Sequence, residues 1–160
     1  MILNCRTMPI NLSRTVLYAI KATTELVRAE PDKAISAAVL AKHGEMPPRF
    51  LLQILGTLVS RGILRSTRGV DGGYCINRPP QEITLLDITE SFEQEPTAVA
   101  QSELPAIIPF ASERLSGVLQ RSFDAARHEL GQVTMADLID DMRRSPSNVR
   151  IQARRGGLSN

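Results

Sequence analysis

Hydrophobic and polar residues in the first third of the chain alternate with a helical period. Ser13 or Asn11 can cap a helix, and Val16, Ile20 and Val27 fall on one stripe with Leu17 and Ala19 beside it. A first amphipathic helix is therefore expected to end near Pro31. Ile35 and Ser36 read as a short extended entry and an N-cap for a brief helix, AAVLAKH, which Gly44 is expected to stop by taking positive φ. Gly44-Glu45-Met46 is a tight turn, Pro47 and Pro48 suit the first turn of a third helix, and Gly62 closes that helix. Within it Leu51, Ile54, Leu55, Leu58 and Val59 follow the i, i+3, i+4, i+7, i+8 pattern of a buried stripe, which leaves Arg49, Phe50, Gln53 and Thr57 facing away.

After Gly62 the period changes. ILRST and YCIN are strand-like runs flanking Arg68-Gly69-Val70-Asp71-Gly72-Gly73, a glycine-rich hairpin loop free to approach another surface, with Gly72 and Gly73 serving to turn it. Thr84 and Asp87 match a capping box ahead of Leu85, Ile88 and Phe92, the stripe of a fourth helix. Residues 93–104 read as a polar linker. From Pro105 or Pro109 a long helix is expected through Leu130, with Ala111, Leu115, Val118, Leu119 and Ala126 on its apolar face. One helix alone cannot bury such a stripe, so it is expected to pack on a second copy of itself and on the N-terminal head. Thr134 and Asp137 form a second capping box before Leu138, Ile139 and Met142. The expected fold class is mainly α with a small β-hairpin. A winged helix-turn-helix domain covers residues 1–92, a linker 93–104, a helical dimerisation region 105–142 and a disordered basic tail 143–160.

Charge gives this outline a function. Residues 1–80 carry 11 Lys and Arg against 5 Asp and Glu, residues 81–142 carry 3 against 12, and residues 143–160 carry 5 Arg and no acid. A basic head on an acidic body fits a protein that binds a polyanion through one half. No apolar run is long enough to span a bilayer, and the N-terminus lacks the pattern of an export leader. The two cysteines, Cys5 and Cys75, cannot build a disulfide framework, so a cytoplasmic protein without a membrane partner is expected. No nucleophile-base arrangement, phosphate-cradling loop or metal-ligand spacing appears, His43 and His128 included, so neither an enzyme nor a metal site is expected.

Double-stranded DNA is the expected partner. Gln53 can make a bidentate contact to adenine, and Arg49 can reach guanine or a phosphate. Phe50 fits either contact with a thymine methyl or packing on the wing or first helix. Arg68, with Gly69 beside it at the hairpin tip, suits the negative potential of a narrow minor groove. Arg65 and Arg14 suit phosphates. Cys75, on the returning strand, has two readings, a buried structural thiol or a redox sensor. The alternative function is a winged-helix protein-interaction module that does not bind DNA.

The segments LSRTVLYAIKATTELV, LAKHGEMPPRFLLQILGTLVSRGIL and RSTRGVDGGYCINRPPQEITLLDI resemble, in order and spacing, the Rrf-two (Rrf2) family of bacterial winged-helix transcription regulators. The resemblance is strong over residues 12–92 and architectural over 105–142. It implies a repressor-type homodimer joined by the long helices, with recognition helices in major grooves and wings at minor grooves. Half-sites would then lie about one helical turn apart on a pseudo-palindrome. Pro47, Arg49, Phe50 and Gln53 match the family's DNA-facing recognition positions, and Arg68 matches its wing arginine. Leu52 stands where iron-sulfur members carry a glutamate that helps choose the DNA sequence. Many members hold an iron-sulfur cluster with three cysteines between the fourth helix and the long helix, but residues 93–109 contain neither Cys nor His. The resemblance therefore implies a member with no cofactor, responding instead to a thiol, a small molecule or a protein effector.

Overall fold

The computed structural model describes residues 12–29, 33–69, 72–93 and 112–144. The first helix, α1 (Arg14–Arg28), starts at Ser13, whose hydroxyl accepts from the Val16 amide. Its buried face is Val16, Ala19, Ala22, Thr23, Thr24 and Leu26, while Ile20 and Val27 are half-buried and Leu17 is 53% exposed. The face is thus turned from the Val16–Ile20–Val27 stripe that hydropathy suggests toward a line of small residues. Thr23 and Thr24 fit there because each hydroxyl donates to a carbonyl one turn back, Ala19 and Ile20 respectively. Small side chains let neighbours approach, and α1 packs against the next three helices of the head, the second wing strand and the last helix of the chain.

Ser36 caps α2 (Ala37–Gly44) through the Val39 amide. The turn that follows corrects the expectation for Gly44. Gly44 is the last helical residue, and Glu45 takes the left-handed conformation at φ 49°. Gly44 is small for a different reason, since a Cβ there would run into the Met46 side chain, which folds back over it into the core. The third helix, α3 (Pro48–Ser60), has Pro at its first turn and leads through Gly62 into the antiparallel hairpin β1 (Leu64–Thr67) and β2 (Gly73–Ile76). Its register pairs Leu64 with Ile76, Arg65 with Cys75, Ser66 with Tyr74 and Thr67 with Gly73. Ile35 adds a third extended segment, exchanging two 2.9 Å hydrogen bonds with Tyr74 and so tying the wing to the entry of α2.

A short 3-10 turn (Pro80–Glu82) precedes α4 (Leu85–Glu90), whose capping box is complete: the Asp87 amide donates to the Thr84 hydroxyl and the Thr84 amide to the Asp87 carboxylate. The long helix α5 (Ser112–Gln132) lies along α4, where Arg127 pairs with Glu90. None of its residues from Glu113 to Gln132 is buried; Leu115, Leu119, Phe123, Ala126 and Leu130 are half-buried and Val118 is exposed. The chain then returns to the head. Thr84 and Thr134 form an antiparallel bridge, with Leu85 N–H donating to Val133 and Met135 N–H to Ile83. The last helix, α6 (Met135–Arg144), packs on α1 and buries Met135 and Ile139. Met135 joins Leu40, Leu51, Ile54, Leu55, Leu58, Ile63, Leu64, Ile83 and Ile88 in one core, so the head recruits residues from beyond the long helix. Among the described residues no helix is long and apolar enough to cross a membrane. Asn11, the loop residues Val70 and Asp71, the 94–104 part of the linker, the Pro105–Ala111 start expected for the long helix, and the tail beyond Arg144 lie outside the described residues.

Candidate nucleic-acid interface

The third helix is held by four positions, Leu51, Ile54, Leu55 and Leu58, all essentially removed from solvent. At 3.6 residues per turn the opposite line consists of Arg49, Gly56 and Ser60, flanked by Gln53 on one side and Leu52 on the other, and all five are exposed. Anchoring one side in the core fixes the orientation of the other. Neither the Arg49 guanidinium nor the Gln53 amide has a partner among the described residues, so their donors and acceptors are available to a ligand. The hydroxyls on this face are engaged: Thr57 donates to the Gln53 carbonyl at 3.1 Å and Ser60 to the Thr57 carbonyl at 2.7 Å. Thr57 is half-buried at the edge of the face rather than fully outward.

Phe50 leaves the outward face and takes the second reading open to it, packing on the first helix. Its ring is half-buried against the core and meets Tyr18 of α1 edge-to-face, with centroids 5.7 Å apart and planes at 80°. It braces α3 on α1. Pro47 is exposed at the helix start, where its carbonyl receives the Leu51 amide. Leu52, 49% exposed on the outer face, is an apolar surface that periodicity alone does not single out as functional.

The hairpin carries the second basic group. Arg65 and Arg68 are exposed, and Gly69, at φ 118°, turns the tip, where its carbonyl accepts from Gly72 N–H at 3.0 Å. Gly73, expected only to turn the loop, instead sits beneath the Ile35–Ser36 backbone, which leaves no room for a side chain. Arg14 opens α1 next to Ser13, whose amide donates to Glu93. It is therefore carried by an element separate from α3 and the hairpin. Cys75 is 4% exposed, with its sulfur 3.9 Å from the Arg65 carbonyl.

The family model for Rrf2, described as an iron-dependent transcriptional regulator, matches residues 12–141. The chain belongs to the Rrf2 family. BadM of Rhodopseudomonas palustris, an HTH-type transcriptional regulator by name, is 31% identical over 132 residues, covering 82% of this chain and 83% of BadM. The HTH-type transcriptional regulator CymR of Bacillus subtilis is 28% identical over 123 residues, 76% of this chain and 83% of CymR. Among solved structures, the oxidized form of Staphylococcus aureus CymR superposes with a TM-score of 0.63 at 28% identity, covering 81% of this chain and 96% of that one. T. potens IscR superposes at 0.68 with 20% identity over 89% and 92% of the two chains, a likeness of fold. This Rrf2 protein is thus a DNA-binding transcriptional regulator built on a winged helix-turn-helix, and the interaction-module alternative is not favoured.

A resident iron-sulfur cluster needs thiolates or comparable donors held close together. The chain has two cysteines: Cys75 is buried in the wing strand, and Cys5 lies outside the described residues. No group of three His, Cys, Asp or Glu among the described residues is arranged to hold a metal. The stretch between α4 and α5 supplies carboxylates but no thiolate or imidazole, and oxygen donors alone suit such clusters poorly. This donor set does not fit a resident iron-sulfur cluster.

Proposed function

We propose that this regulator is a cytoplasmic homodimeric repressor, which lays α3 in the major groove and the hairpin at the adjacent minor groove of a pseudo-palindromic operator. The observation that carries this reading is the two-sidedness of α3, whose buried leucine and isoleucine side leaves Arg49 and Gln53 exposed and without a side-chain partner among the described residues. Gln53 reads a base edge, Arg49 a guanine or a phosphate, and Arg68 the minor-groove potential. Arg65 and Arg14 contact phosphates, with Pro47 and Thr57 bordering the contact. Phe50 acts indirectly, by fixing α3 against α1.

Dimerisation runs through residues 105–142. The half-buried stripe Leu115, Leu119, Phe123, Ala126 and Leu130 of α5, with Val118 exposed, is left without a full covering by the head. A second copy brings two α3 helices to half-sites about one turn, roughly 34 Å, apart. Residues 1–92 form the DNA-binding domain, 93–104 the linker and 143–160 a basic tail. Sensing is clusterless, through a small molecule or a protein effector. Selection of bound duplexes from a random pool tests the reading. Paired half-sites at one-turn spacing are expected, whereas unpaired, sequence-indifferent recovery would reject it.

A further inference from the structure

Gly56 stands in the third turn of α3, at the centre of the outward face. At about 100° per residue it lies roughly 20° from the line of Arg49, with Ser60 one turn beyond it and Gln53 and Leu52 one turn before. A glycine inside a helix is unfavourable, because it loses more backbone freedom on folding than any residue with a side chain. Alanine there would favour the folded state about fivefold. Two intramolecular reasons could retain the glycine, and neither holds. Its φ is not positive, unlike that of Gly62 and Gly69. A Cβ there meets no described residue within 4 Å, whereas at Gly44 or Gly73 a Cβ would strike the protein itself. The room that Gly56 leaves is on the outside.

The neighbours of that room show what it faces. Arg49 and Gln53 are the polar side chains of α3 with no partner among the described residues, and Thr57 and Ser60 have folded their hydroxyls onto helix carbonyls, leaving a low surface around Gly56. An α-helix with its side chains is about 10–12 Å across and the major groove about 12 Å wide, so a helix in the groove has little clearance and one missing side chain changes how deep it sits.

We propose that Gly56 is a positioning residue for DNA recognition, the point at which the α3 backbone comes closest to the floor of the major groove. It sets the depth at which Gln53 and Leu52 meet the base edges. This rests on the assignment of α3 as the recognition helix. A side chain at 56 would lift the helix and shorten the reach of its neighbours, and the loss should grow with side-chain size.

The test uses the full chain, the selected duplexes and a random-sequence duplex of equal length, with Gly56→Ala, Gly56→Leu and Arg49→Ala compared by anisotropy titration and thermal melting. Gly56→Ala is expected to raise the melting temperature by a few degrees while weakening binding to selected duplexes by about tenfold. Gly56→Leu should weaken it by roughly a hundredfold or more with an unchanged circular dichroism spectrum, and binding to the random duplex should change less. If both glycine variants bind as the parent does while Arg49→Ala weakens binding, the proposal is overturned and the recognition-helix reading stands. If all three bind as the parent does, both fall. A Gly56→Ala protein that loses stability together with affinity also overturns the proposal, since the glycine would then serve the fold.

Discussion

Gly73→Ala should detach the wing from the helix-turn-helix without touching any residue assigned to DNA. A Cβ at 73 would overlap the Ile35 carbonyl oxygen, lie 2.5 Å from the Ile35 carbonyl carbon and 2.9 Å from the Ser36 nitrogen. These are backbone atoms and have no rotamer by which to retreat. The segment must therefore shift, and the two 2.9 Å hydrogen bonds between Ile35 and Tyr74 are what it gives up. At a net 0.5–1.5 kcal/mol each, their loss comes to about 1–3 kcal/mol. For a chain of this length that corresponds to a fall of roughly 3–10 °C in melting temperature. Ser36, the N-cap of α2, is next in the chain, so the start of α2 should loosen with it. Hydrogen exchange reads the mechanism directly: the Ile35 and Tyr74 amides should lose protection while those of Leu55 and Leu58 in α3 keep theirs. A Gly73→Ala protein that melts as the parent does, with Ile35 and Tyr74 still protected, would refute the close-approach reading of this glycine.

Gln53→Ala should cost about 1–3 kcal/mol on the selected operator and little on random duplex, while Arg68→Ala should weaken both and flatten any preference for A·T-rich flanks. Equal, sequence-blind losses in anisotropy titrations would reject that division of roles. Binding should fall steeply with salt, by about a thousandfold between 50 and 200 mM for a dimer making six phosphate contacts; a flat titration would remove the basic face from the interface. The start of α6 should be sensitive to acid. Hydrogen bonds from the Thr134 hydroxyl and then from its backbone amide hold the Asp137 carboxyl below the usual carboxylate range. A carboxylate with a depressed folded pKa contributes stability above its unfolded pKa and loses it as pH falls through the folded value, so this contribution should disappear only below the ordinary carboxylate range. In Thr134→Ala the larger, hydroxyl-borne part of that pH dependence of melting should be lost while the backbone amide keeps the rest; an unchanged acid limb would assign it elsewhere.

Much of this architecture is legible in the sequence because its signals are local. The Leu51–Leu58 stripe, the prolines at the start of α3, the Ser13 and Ser36 caps and both Thr–Asp boxes each depend on residues within two turns of one another. What periodicity misreads is where small residues carry the contact. Ala19, Ala22 and Thr23 form the buried line of α1 although their hydropathy is weak, in a helix that packs against both α3 and α6. Gly44 and Gly73 look like turn residues in sequence. Their constraint comes from a side chain or a strand that crosses above them.

The long-range pieces are harder to read for a related reason. The Ile35–Tyr74 and Thr84–Thr134 bridges join residues 39 and 50 positions apart, and neither partner segment is long enough to show a strand period. Met135 reads as an ordinary helix residue until the bridge brings it back onto Ile83 and the head core. The proposed interface divides in the same way. Arg49, Gln53 and Arg68 announce themselves by their chemistry, whereas Phe50 has chemistry suited to a base contact and a position that gives it to Tyr18. Gly56 has no side-chain chemistry at all. It becomes informative only when the space around it is measured: no described residue lies within 4 Å of where its Cβ would stand, so neither packing nor backbone conformation accounts for a residue that costs the helix stability.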